Sequence, residues 1–173
     1  MRHRFCILYF LFSLSTVNAQ TVSNLDKKYG INIFKLESDL KNYKNLEFLM
    51  DIDDGLKAYK YNSNKPLKIF GVEAASVHLC FFKDKLYSIS YNFEPLYNNN
   101  ILTIRSNLKE LFGIESLGNT NTLLSYDWAN VWETKKTYLH FAKYLRSNEI
   151  YSNCFEILMI SNVLRNKMLN ASF

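Results

Sequence analysis

Four side chains suited to soft-metal or nucleophile chemistry lie beyond the first nineteen residues: His78, Cys80, His140 and Cys154. His78 and Cys80 are two apart, so on a strand they share a face. If the segments carrying His140 and Cys154 lie beside that face, the four could form a Cys2His2 zinc site. Their spacing matches no zinc signature, and the competing account is a disulfide plus two ordinary histidines. The same residues could supply a Cys–His nucleophile pair, but that needs a thiolate beside an imidazole with an orienting group behind it. No helix N-terminus is placed to activate either thiol. For Cys80 and Cys154 a disulfide is the natural expectation in an oxidising compartment; closing so long a loop is worth about 4 kcal/mol in the chain-entropy model. The alternative is two buried free thiols behaving as small apolar residues.

Tyr126, Trp128, Trp132 and Tyr138 make the densest aromatic cluster. Flat aromatic faces would suit a sugar, peptide or protein partner; as structure, the same residues are a core corner beside a turn, which is the favoured account. Asp51, Asp53, Asp54 and Gly55 resemble a calcium loop in composition only. Counted from Asp51, the glycine arrives one position early and Asn62 stands where the bidentate glutamate belongs, so an acidic turn is expected. Carboxylates for glycosidase-type chemistry are scattered without a spacing that selects two of them. There is no G-x-S-x-G, no H-E-x-x-H and no phosphate-cradling glycine loop; the chain has five glycines in all. No cofactor is implied.

These residues must be positioned by strands. Ala74–Phe93 reads as a hairpin about Lys83-Asp84-Lys85, with Val77, Leu79 and Phe81 opposite Ser76, His78, Cys80 and Phe82. In its second arm Tyr87, Ile89, Tyr91 and Phe93 are expected opposite Leu86, Ser88 and Ser90. Further strands are expected at Ile31–Phe34, Ala58–Tyr61, Leu67–Phe70, Leu123–Trp128, Lys136–Leu145 and Ser152–Ile160. Turns are expected at Ala129-Asn130 and Arg146–Glu149, and a loop over Ile114–Thr122. A first helix is expected from Glu37-Ser38-Asp39 with Leu36, Leu40 and Tyr43 at helical spacing. The clearest helix is Asn98–Phe112: Ile101, Ile104, Leu108 and Leu111 fall on one stripe, with Asn98–Asn100 as caps and Gly113 as the left-handed stop. Ser161 would cap a terminal helix through Val163, Leu164 and Met168. Short turns between strands favour antiparallel pairing. The expected fold is a single α+β domain with an antiparallel sheet of five to seven strands, the long 98–112 amphipathic helix and shorter helices packed on it.

The leading residues address the chain. Arg2, His3 and Arg4 precede the apolar run Phe5–Ser15, and Val17-Asn18-Ala19 supplies small residues for cleavage after Ala19. The run is shorter than the roughly 20 residues a spanning helix needs. Residues 1–19 are therefore expected to be a signal peptide and 20–173 one secreted or periplasmic domain, with no transmembrane segment after cleavage. Arg2 and Arg4 leave with the leader, so the net charge of +5 falls to +3. That charge is spread without a dense basic run, which removes the electrostatic case for nucleic acid. Asn170-Ala171-Ser172 is a glycosylation sequon. The favoured function is a non-enzymatic binding or interaction module for a protein, peptide or glycan partner. The alternative is a small extracytoplasmic hydrolase using carboxylates or the His/Cys set.

Overall fold

The computed structural model describes residues 24–52, 55–115, 126–144 and 154–171. The 1–19 leader, Asp53 and Asp54, most of the Ile114–Thr122 loop, the Arg146–Glu149 turn and Ser172 of the sequon lie outside these residues, as does the side chain of Tyr126. A short helix over 24–28, α1, comes first. The ribbon β1 (Gly30–Ile31) and β2 (Phe34–Lys35) and a 3-10 turn at Leu40–Asn42 follow. Next are β3 (Leu46–Ile52), β4 (Leu56–Tyr61), a small ribbon β5 (Lys68–Ile69) and β6 (Val72–Glu73), then β7 (Ser76–Phe82) and β8 (Lys85–Phe93). The chain ends with α2 (Asn98–Phe112), β9 (Tyr126–Glu133), β10 (Thr137–Tyr144), β11 (Phe155–Ser161) and α3 (Asn162–Ala171).

Seven strands form one antiparallel sheet in the order β3-β4-β7-β8-β11-β10-β9. Two meanders, 3-4-7-8 and 9-10-11, meet at the β8–β11 seam, where Phe155 pairs with Phe93 and Ile160 with Ser88. The hairpin closes through Lys83 and Asp84, both at positive φ (49° and 61°), the geometry of the two-residue turns that match strand twist. Strand alternation then sorts side chains onto two faces. One face carries Val77, Leu79, Phe81, Ile89, Tyr91, Phe93, Leu139, Phe141, Ile157 and Met159, all buried in a single cluster. Each such side chain contributes about 1.5–3 kcal/mol when fully buried.

The α+β expectation is overturned: the described residues are mostly β, 47% of them in strands, with short helices and no long amphipathic helix packed along the sheet. Residues 98–112 are helical, but only Ile104, Leu108 and Phe112 of the helix are buried. Much of the core is instead covered by Leu25, Phe34 and Leu36 of the N-terminal segment and by Ile69 and Val72 of the β5–β6 ribbon. The helix expected near Leu36–Tyr43 shrinks to its 3-10 turn, because the backbone N–H groups of Glu37 and Leu40 donate outward to the Leu86 and Asp84 carbonyls. No turn interrupts Ala129-Asn130; β9 runs through, and the chain reverses at Thr134–Lys136, where the Thr137 N–H donates to Thr134 Oγ1. A register shift beside Cys80/Phe81 sends Leu86 into the core, so Tyr87 does not share the face of Ile89. Gly113 does stop α2 at φ 82°, its N–H donating to the Lys109 carbonyl, although Tyr97 is the N-cap and gives no side-chain bond. Ser161 caps α3 by accepting from the Leu164 N–H at 3.1 Å.

Candidate functional site

The face of the sheet turned away from the main core gathers the polar side chains. His78 pairs with Ser90, Ser90 with Leu158, and Leu158 with His140, so four strands share one cross-strand row. The next row holds Ser76, Asn92, Glu156 and Ala142. Polar groups zigzag between the two rows through diagonal neighbours, which on a sheet are close enough to touch. Asn92 Nδ2 donates to His78 Nδ1 at 3.1 Å and to Ser90 Oγ at 3.2 Å. Ser90 Oγ donates to Glu156 Oε1 at 2.5 Å. From the other side His140 Nε2 meets Glu156 Oε2 at 3.2 Å, and Tyr138 OH meets His140 Nδ1 at 3.3 Å. One tautomer satisfies this chain: His140 donates from Nε2 and accepts at Nδ1.

Two of these bonds, from Ser90 and His140, end on the Glu156 carboxylate, which is only 5% exposed, beside a His140 that is 2% exposed. A buried carboxylate is tolerated when donors satisfy it, and here a hydroxyl and an imidazole do so. Serine donates to the acid, not to an imidazole, so the set does not have the geometry of an activated nucleophile. His78 is half-buried; burial and the Lys60 cation push its pKa down, against a smaller opposing pull from Glu156. Burial likewise raises the Cys80 thiol, which holds it in the protonated, weakly reactive form.

The sheet register decides the fate of the four metal or nucleophile candidates. His78 and His140 share a row, but three strand spacings separate them, about 14 Å. Cys80 pairs with Ser88, whereas Cys154 precedes Phe155, the partner of Phe93. Cys154 is therefore level with Glu94, six residues from the Ser88 level along β8, about 20 Å. A disulfide needs Cα atoms within about 7 Å, so both cysteines are free thiols and the expected bridge does not form. Among the described residues no cluster of three or more His, Cys, Asp or Glu side chains could hold a metal ion.

The aromatic cluster is split in the same way. Trp128 packs edge-on to Phe141 on the core face, and Trp132 is buried with its Nε1 donating to the Gly113 carbonyl at 2.9 Å. Tyr138 pairs with Glu133 on the opposite face and joins the polar chain. No flat platform results from Trp128, Trp132 and Tyr138.

Glu156, Ser90 and Asn92 were not singled out by the sequence. Their signal was a lone carboxylate inside the apolar run Phe155–Ile160, where a charge must find donors across the sheet. The outermost strand falls where periodicity leaves Leu46–Met50 open between an extension of the preceding helix and a second element. In β3, Phe48, Leu49, Met50 and Ile52 are 52%, 41%, 57% and 40% exposed. Its neighbour on one side is β4; its other edge is free among the described residues. Compared with known protein families, curated proteins and solved structures, the chain matches none. Among the described residues no helix is long and apolar enough to cross a membrane.

Proposed function

We propose that the chain is an exported, non-enzymatic interaction module that takes an extended peptide segment of a partner protein onto the free edge of β3. The observation that carries this reading is the run of four large apolar side chains exposed on an outer strand. Edge strands present unpaired N–H and C=O groups, and folded proteins ordinarily blunt them with charge, proline or brevity. This edge is seven residues long and exposes large apolar side chains, broken by Glu47, Asp51 and a register shift at Leu49. Strand addition would supply main-chain hydrogen bonds, while alternate side chains would give specificity.

Charge selects the partner's chemistry. Glu47 and Asp51 bracket Phe48–Met50 and lie opposite Lys60 and Lys57 of β4. An incoming strand that repeats this pattern alternates apolar residues with Lys or Arg. A second copy fits less well. In a symmetric antiparallel pair centred on Leu49, Glu47 would face Asp51 of the other chain, and like charges directly opposite destabilise.

Selection from displayed random peptides tests the reading. Enriched sequences should be extended, apolar and basic, and should slow amide exchange at residues 46–52. They should lose binding to the Phe48→Lys/Met50→Lys variant. Both positions are more than half exposed, so that variant should keep its stability within about 0.5 kcal/mol. Equal binding to the variant, or protection elsewhere, would sink the proposal. Export is checked separately by intact mass of host-produced protein, which should begin at Gln20.

A further inference from the structure

On the core side of the sheet, a cleft of about 490 Å³ opens between the β1–β2 ribbon, the β5–β6 turn and the C-terminal half of α2. Its volume lies within the range of small-molecule sites. Leu108, Phe112 and Ile157 contribute to its lining from the sheet and helix, and Phe34 and Ile69 from the two ribbons. Two lysines, Lys28 and Lys35, also line it, and no acidic residue does. Lys28 Nζ stands 6.0 Å from the centroid of the Phe112 ring, and among the described residues it makes no ion pair.

The cleft is a built feature of the fold. β1 and β2 approach so closely at Gly30 that a Cβ there would meet the Phe34 carbonyl oxygen at 2.2 Å. Only glycine allows that ribbon to pair as it does. On the opposite wall Phe70 holds φ 51°, a conformation a bulky residue adopts only where its surroundings impose it.

Apolar walls with cations and no anions define the complementary ligand. We propose that the cleft binds a single-chain aliphatic carboxylate, the chain lying against the half-buried Ile31, Phe70 and Leu111 and the carboxylate pairing with Lys28. A neutral hydrocarbon would leave the lysine without its counter-charge. A cationic amphiphile would be repelled by Lys28 and Lys35. The site is separate from the β3 edge and does not depend on it.

Titration calorimetry of the full chain against octanoate, decanoate and dodecanoate, each below its self-association concentration, tests the assignment. Affinity should rise roughly fourfold per added methylene, the increment expected for burial of apolar surface. Lys28→Gln should weaken decanoate about two- to fivefold, the loss expected for an exposed ion pair, and should leave decanol unchanged. Leu111→Trp, which fills the cleft from α2, should abolish binding. NMR shift changes on the wild-type chain should map to the cleft even if that variant misfolds. Phe48→Lys/Met50→Lys should bind decanoate normally, which keeps this test apart from that of the edge strand. Failure to bind decanoate, indifference to Lys28→Gln, or equal affinity for decylammonium would overturn the proposal. So would binding to phosphatidylglycerol vesicles without binding to the free carboxylates.

Discussion

At the scale of single residues, the sheet's outer face depends on Glu156. Ser90 and His140 both address its carboxylate. In Glu156→Gln the amide nitrogen replaces one acceptor, so one of these donors faces a donor. A buried donor left unsatisfied costs about 1–3 kcal/mol, and the urea midpoint should fall accordingly with an unchanged slope. A loss under about 0.5 kcal/mol would show that the polar chain is not holding the strands together. His78 adds a pH dependence. Burial and Lys60 lower its folded pKa, so the unfolded chain binds the proton more readily. Its contribution is therefore intact above about pH 6.5, the unfolded value, and is eroded as pH falls from there toward the folded value. Replacing His78 by Gln should flatten the stability profile in that window; an unchanged profile would remove His78 as its source. The sequence pointed to His78, His140 and Tyr138, because histidine and tyrosine are conspicuous types. It did not point to Glu156, because which donors surround a carboxylate depends on strand order.

At the scale of elements, one acid ties α2 to the sheet beyond its own end. Glu115 accepts from Asn130 Nδ2 on β9 at 2.9 Å and pairs with Lys109 at 3.1 Å and more distantly with Arg105. Burial pushes its carboxyl up, but its own backbone N–H, Lys109 and Arg105 together outweigh that and hold it below the ordinary range. A carboxyl lowered in the folded state stabilises fully above the unfolded value, about pH 4.3, and the stabilisation is lost as pH falls through the folded value. Denaturant midpoints at neutral and acid pH should therefore diverge more for the natural chain than for Glu115→Gln. A like difference in both would remove Glu115 from acid unfolding. Gly30→Ala makes a second demand on an element. With the Phe34 oxygen in the way, the β1–β2 ribbon must open, and overpacking of this kind costs about 1–3 kcal/mol. A melting temperature equal to wild type would mean that the ribbon yields freely. Several individual elements were legible, since strands 7, 8, 10 and 11 are rich in β-branched and aromatic residues and Gly113 and Ser161 mark helix ends. The β9 strand was broken in expectation at Ala129-Asn130 because these types favour turns. The contact that overrides this, Asn130 with Glu115, lies fifteen residues away.

At the scale of the whole molecule, what the sequence leaves open is which strands are neighbours. Periodicity gives each strand its two faces but not its place, and the β8–β11 seam joins segments more than sixty residues apart. That same ignorance made a Cys80–Cys154 bridge reasonable: an even cysteine count in an exported domain argues for it when no register is known. With β7, β8 and β11 consecutive, the two sulfurs are fixed at opposite ends of a shared neighbour, and no rotamer change brings them together. Among the described residues no covalent cross-link then holds the fold, which should be indifferent to the redox state of its surroundings. Thiol titration of residues 20–173 should count two reactive groups after denaturation. In the native state Cys80 should react slowly, because burial keeps its thiol protonated. Adding dithiothreitol should leave the melting temperature unchanged. A melting point that drops with reductant, or an intact mass two protons short of the dithiol, would show a bridge. It would place β7 and β11 in a different register from the one on which both the polar chain and the free β3 edge depend.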